Sequence, residues 1–249
     1  DEADRMLDMG FYDDIMQIVK LLPKKRQTLL FSATMPDKIQ QLAENILDHP
    51  VEIKLAVSKP AEKIIQTAYI CYQTQKFRII RTLFSDATQS RIIIFASSKL
   101  KVKEIAKTLK NMRLNVGEMH SDLEQWQRNE MMTEFKAGHI NILVATDIVA
   151  RGIDIDDVRL IINYDVPHDC EDYVHRIGRT ARANNDGCAI TLVSEEEQFK
   201  FKQIENFLGK EIYKLPVPEE LGEAPAYEPE KNSGKRRSSH KKRPAKRNR

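Results

Sequence analysis

The sequence predicts an α/β fold built on a mostly parallel sheet. Two observations carry that prediction. Short apolar runs rich in β-branched residues recur between turn-forming residues, as strands buried on both faces require. Segments with apolar residues at helical spacing lie between most of them, and this alternation is the mark of right-handed β-α-β crossovers. The runs predict strands over residues 28–31, 51–55, 64–72, 91–95, 115–119, 142–145, 160–164 and 189–193. Helices are predicted around Ile15/Val19/Leu22, Ile39/Leu42/Ile46, Phe77/Ile80/Leu83/Phe84, Val102/Ile105/Ala106/Leu109, Met131/Met132/Phe135 and Phe199/Ile204/Leu208. In such a sheet, ligands sit at the carboxyl ends of the strands.

The polar segment 56–62, which contains Pro60, interrupts the alternation and is the best linker. Residues 1–55 hold too few strands for a complete α/β domain and read as the last third of one. Residues 63–215 suffice for one full domain. Beyond them, residues 216–249 show no apolar periodicity and are expected to be a disordered basic tail. The net charge of +3 hides a split, because residues 231–249 carry ten Lys/Arg and no Asp/Glu, leaving 30 cations against 37 anions before them. A tail of Lys, Arg, Ser, Pro and Asn cannot offset the entropy of ordering. Such tails hold nucleic acid through counterion release, although solubility alone is another use for one.

Cys71, Cys170 and Cys188 are odd in number and far apart, which points away from a disulfide framework or zinc site and towards a reducing, cytoplasmic setting. No apolar run reaches the roughly 20 residues of a membrane span.

Four segments carry candidate chemistry. Asp1-Glu2-Ala3-Asp4 offers carboxylates that can hold Mg²⁺ through water and orient an attacking water, although an acidic helix start would look the same. Ser32-Ala33-Thr34 places two hydroxyls after an apolar run, where they relay a nucleotide signal or merely cap the next helix. Thr146-Asp147 leaves the strand at 142–145 and is followed by Arg151-Gly152-Ile153-Asp154. A Thr hydroxyl at such a junction suits a phosphate, Asp154 can accept from a ribose hydroxyl, and capping by Thr146 or Asp147 is compatible with both. His175-Arg176-Ile177-Gly178-Arg179-Thr180-Ala181-Arg182 gathers three guanidiniums around one glycine, a grouping that suits a polyanion such as a nucleotide phosphate.

Together with Ser97-Ser98-Lys99 after the strand at 91–95 and Gln125-x-x-Arg128, these segments occur in the order found in DEAD-box RNA helicases. The resemblance runs from residue 1 to about 193, and the basic tail is similar to that of bacterial members of the RhlE type. It implies a RecA-like fold, with the C-terminal remnant of a helicase ATP-binding domain (1–55), a linker (56–62) and a complete helicase C-terminal domain (63–215). By resemblance Asp1 holds Mg²⁺ through water, Glu2 positions the hydrolytic water, and Arg179 and Arg182 are arginine fingers. Asp154 matches the ribose-contacting position. Ser32, Thr34, Arg151 and His175 match positions that couple the two domains, and Ser98, Gln125, Arg128 and Thr146 match positions serving the RNA backbone. Two residues depart from the usual pattern: Ala181, where the family has Gly, and Ser121, where many members have Gly.

The implied cofactors are ATP and Mg²⁺, and the implied partner is RNA, held without sequence choice. No two glycines stand five apart with Lys and Ser/Thr after the second, so the sequence contains no Walker A loop. The resemblance places that phosphate cradle upstream of Asp1. Two functions of different class follow: an ATP-dependent RNA helicase in the intact protein, and a catalytically silent RNA-binding module in this chain alone. A DNA-directed helicase of the same superfamily shares some of the motifs.

Overall fold

The computed structural model describes residues 1–32, 35–54, 64–84, 90–147, 158–180 and 187–232. The chain divides into two compact units, Asp1–Ser58 and Lys59–Arg249. The expected linker at 56–62 and the tail from 233 onward lie outside the described residues.

The first unit is helical. Helices α1 (Ala3–Asp8), α2 (Tyr12–Leu21) and α3 (Asp37–Ile46) form where the 3.6-residue spacing places apolar side chains on one face, and α3 buries Ile39 and Leu42. The strands expected at 28–31 and 51–55 are not seen among the described residues. A β-branched run becomes a strand only when a neighbour completes its ladder, and none is described in this unit. Leu29, Phe31, Val51 and Ile53 are instead exposed.

The second unit is a seven-stranded, wholly parallel sheet. Its strands are β1 (Ile64–Ile70), β2 (Ile92–Phe95), β3 (Val116–Met119), β4 (Ile142–Ala145), β5 (Leu160–Asn163), β6 (Gly187–Val193) and β7 (Tyr213–Leu215). They lie in the order β3-β4-β2-β5-β6-β1-β7. The central strands β2 and β4 are buried at every position, which explains their unbroken apolar runs. Only β7 was not expected: three residues, Tyr-Lys-Leu, are too few and too mixed to show a period.

Helices cover both faces of this sheet. On one side α4 (Lys76–Leu83) and α5 (Lys99–Asn111) bury Ile79, Ile80, Val102, Ile105 and Leu109 against Ile94 and Val144. On the other, α6 (Gln125–Ala137), α7 (Cys170–Ile177) and α8 (Gln198–Leu208) bury Phe135, Tyr173, Phe201 and Ile204 against Ile93 and Leu143. This is the RecA-like architecture that the resemblance implies.

The chain does not turn structureless after Leu215, as its lack of periodicity suggested. Residues 216–232 cross the domain as a strap. Gln75 Nε2 donates to the carbonyls of Leu221 (3.0 Å) and Glu223 (2.9 Å), and Gln198 binds Ala226 O and Glu228 N. Tyr227 OH donates to buried Glu205 (2.8 Å), and its ring meets Phe201 edge-on and lies under the Lys214 ammonium. Side-chain amides here satisfy a backbone that has no ladder of its own, and sequence periodicity cannot register that.

Candidate functional site

In the first unit the fold brings two of the motif segments together. Ala3 N donates to Phe31 O (3.1 Å) and Asp4 N to Ser32 Oγ (3.1 Å), so the Asp-Glu-Ala-Asp turn is fastened to the serine. Asp1 and Glu2 are exposed, and Glu2 takes a left-handed φ of 50° while its N–H donates to Asp1 Oδ1 (2.9 Å). Asp1 is an oxygen donor of the kind Mg²⁺ takes, and one exposed carboxylate fits a hold through bound water. Thr34 lies outside the described residues.

In the second unit the candidates collect at the carboxyl ends of β3, β4 and β2. Backbone bonds continue past the strands here, from Ala96 N to Ala145 O and from Thr146 N to Met119 O, which fixes the loops after all three strands against one another. Ser98 caps α5, its Oγ accepting from Lys101 N, while Thr146 is half-buried after β4. Gln125 opens α6 and donates to Asn129 Oδ1 (3.1 Å). Arg128, one turn on, is half-buried, and its Nε is enclosed with no hydrogen-bond partner among the described residues. Arg151, Asp154, Ala181 and Arg182 lie outside the described residues.

The arginine-rich run is divided by burial. Arg176 is not available to a polyanion. Its Nε and Nη2 donate to the two carboxylate oxygens of Asp147 (2.6 and 2.7 Å), its Nη1 to Asn163 Oδ1 (3.1 Å) and Asp165 O (2.9 Å), and it stacks on Phe95. With its side chain 3% exposed, this guanidinium ties α7 to the ends of β4 and β5. His175 is exposed and Arg179 half-exposed in the turn that follows. Gly178 has an ordinary φ of −66°; its role is space, because a Cβ would meet Val174 O at 3.0 Å.

Sequence reading missed the network beneath this edge. Lys76, fully buried on α4, donates to Glu197 Oε2 (2.6 Å) and Tyr164 O (2.8 Å) and lies 3.7 Å from Asp165. Asp165 in turn accepts from Ser97 N (2.8 Å) and Lys101 Nζ (2.7 Å), and Glu197 from Val166 N (3.0 Å). Burial opposes charge on Asp165, but Lys76, Lys101 and Ser97 outweigh it and hold the carboxyl below its usual range. Ser98 is thereby positioned by a carboxylate 67 residues away in sequence. Only the excess of Lys and Asp beside strand ends hinted at this, and such residues are ordinarily solvated.

The loop from β3 to α6 carries a second cluster. Asp122 accepts from Lys99 (2.7 Å) and Lys103 (2.8 Å), whose ammonium groups lower its pKa to about 2. His120 is buried; its Nδ1 accepts from Asp122 N (3.3 Å) and its Nε2 has no partner among the described residues. Burial, then the Lys103 charge, pushes its pKa down from 6.5. The neutral imidazole is therefore the form that stabilises the fold. That contribution is complete above pH 6.5 and shrinks as pH falls from there towards the lower folded value. The thermal midpoint is expected to drop between pH 7 and 5, with a shallower drop in His120→Leu; equal slopes would show that His120 does not carry the dependence.

The Helicase conserved C-terminal domain family matches residues 75–184, and the DEAD/DEAH box helicase family matches residues 1–42. The ATP-dependent RNA helicase CshA of Listeria monocytogenes is 41% identical over 220 residues, covering 88% of this chain and 42% of that protein. The ATP-dependent rRNA helicase RRP3 of Yarrowia lipolytica is 38% identical over 221 residues, covering 88% and 46%. The chain thus spans less than half the length of these curated relatives. Among solved structures, S. cerevisiae Dbp5 bound to RNA and ADP BeF3 superposes with a TM-score of 0.77 at 32% identity, over 86% of this chain and 58% of that one. The E. coli DEAD-box protein SrmB, bound to regulator of ribonuclease activity A, gives 0.59 at 33% identity, over 65% of this chain and 96% of that one.

Proposed function

This chain belongs to the DEAD-box helicase family, and from that premise we propose that the intact protein is an ATP-dependent RNA helicase of which this chain supplies the RNA-gripping, finger-carrying half. The observation that carries the reading is that Ser98 and Thr146 follow strands whose loops are fastened together at the carboxyl ends of a parallel sheet, while Gln125 and Arg128 stand in the first turn of α6, the helix that follows the third of those loops. Hydroxyl, amide and guanidinium donors held this way suit phosphate and sugar oxygens. They would grip an RNA strand without reading its bases.

In this reading Asp1 would hold Mg²⁺ through water and Glu2 would orient the hydrolytic water, with ATP supplying the phosphoryl group that is transferred. Arg179 and Arg182 neutralise charge on that group, Asp154 meets the ribose, and Ser32, Thr34, Arg151 and His175 couple nucleotide to RNA. The three free cysteines, with Cys71 buried, support a reducing cytoplasmic setting.

The sequence of this chain holds no Walker A loop, so ATP turnover with and without single-stranded RNA separates the two functions. The expected result is RNA-stimulated turnover by a version extended upstream through a Walker A loop, and none by this chain. Turnover by this chain alone would mean that the phosphate cradle lies elsewhere, and none by either would leave an RNA-binding module.

The tail makes a separate contribution. Deleting residues 231–249 removes ten cations and is expected to weaken RNA binding severalfold or more at low salt and to flatten its salt dependence. Fluorescence polarisation across a salt series measures both, and an unchanged slope would remove the tail from the interface.

A further inference from the structure

We propose that Trp126 is a stacking platform for an unpaired base of the RNA strand gripped by the neighbouring loops. The proposal rests on the RNA reading above and adds a base contact to an interface otherwise made of backbone contacts. Trp126 is the only tryptophan of the chain, and 60% of its surface faces solvent in the first turn of α6. With about 3.6 residues per turn, Gln125, Asn129 and Trp126 share one side of α6, whereas Arg128 projects from nearly the opposite side of the same turn to Trp126. An indole of this size left in water between two candidate RNA-backbone residues forgoes burial that the fold could have given it, whereas every base offers it a π-face.

Two features show that the ring is held ready. Its Nε1 donates to Glu124 Oε2 at 2.6 Å, which fixes the indole plane and uses its one donor, leaving the faces as its remaining means of contact. Glu124 is itself set by the helix start, where its N–H donates to Gln127 Oε1 (2.8 Å). The same loop is bridged to α5 by Asp122, which holds Lys99 and Lys103 four residues before the ring. An aromatic ring just beyond a loop that carries the Lys99–Asp122–Lys103 cluster resembles the arrangement by which single strands are bound without sequence preference, where cations follow the backbone while rings take the bases.

The test uses the full chain and two readouts, the fluorescence of its single tryptophan and the polarisation of a labelled oligouridylate, at a salt concentration that suppresses the tail. The expected result is quenching by oligouridylate and little quenching by an abasic ribose-phosphate strand of the same length. Trp126→Ala should weaken binding about 5- to 150-fold, the range of one stacked base, and Trp126→Phe should retain most of it. Circular dichroism confirms that both variants fold. RNA bound without quenching, or quenching as strong with the abasic strand, overturns the platform while leaving the RNA grip standing. No polarisation change with any strand overturns the grip, and the platform with it.

Discussion

Replacing Arg179 with alanine in the intact protein is expected to abolish RNA-stimulated ATP hydrolysis while leaving the melting temperature of the domain nearly unchanged. Arg179 is half-exposed in the turn after α7, its N–H bonded to Arg176 O (3.2 Å), so its side chain is not part of the buried core. A guanidinium that meets a transferring phosphoryl group contributes on the order of 10³ to 10⁵ in rate. Lysine keeps the charge but loses the planar fork, so Arg179→Lys should recover little. Steady-state turnover with saturating RNA, read beside a thermal melt, checks both halves of the expectation. Turnover within a few-fold of the parent would end the assignment of Arg179 as a finger.

Arg176→Ala should show the reverse pattern, a large loss of stability. Removing this side chain leaves Asp147 without its bidentate partner and Asn163 and Asp165 O without a donor beneath the strand ends. Breaking one side of a buried, hydrogen-bonded ion pair costs about 3–5 kcal/mol, because the stranded charge cannot recover its hydration. Denaturant titration of this chain measures the loss. Replacing both partners with apolar residues, Arg176→Met with Asp147→Leu, should cost less than either single change, since no charge is then left unpaired. A single variant as stable as the parent would show that the pair does not hold α7 in place. The two arginines stand three residues apart in one motif, and opposite outcomes for them would assign one to chemistry and the other to architecture.

The second unit could be read closely from the sequence. Its buried parallel strands must be apolar on both faces, so Ile92–Phe95 and Ile142–Ala145 announce themselves as unbroken runs, and the helices between them keep a clean stripe. The first unit misled, because residues 28–31 and 51–55 have strand-like composition, and composition cannot reveal whether a neighbouring strand is there to pair with them. The strap at 216–232 was missed for the opposite reason: its backbone is satisfied by Gln75 and Gln198, which are distant in sequence and follow no period.

The sequence by itself determined the family, the parallel α/β architecture and the order of the motif segments, because each follows from residue types at short and regular spacings. Only the tertiary structure decided which members of those motifs face solvent. Burial is a property of packing between segments far apart in the chain, as when Lys76 meets Glu197 and Arg176 meets Asp147. It also decided that the domain continues to residue 232, and that Trp126, one apolar letter between two motif residues, stands in solvent with its ring already oriented. A side chain's chemistry is written locally, whereas its exposure, and with it the choice between holding the fold and meeting a ligand, is set by what the rest of the chain brings against it.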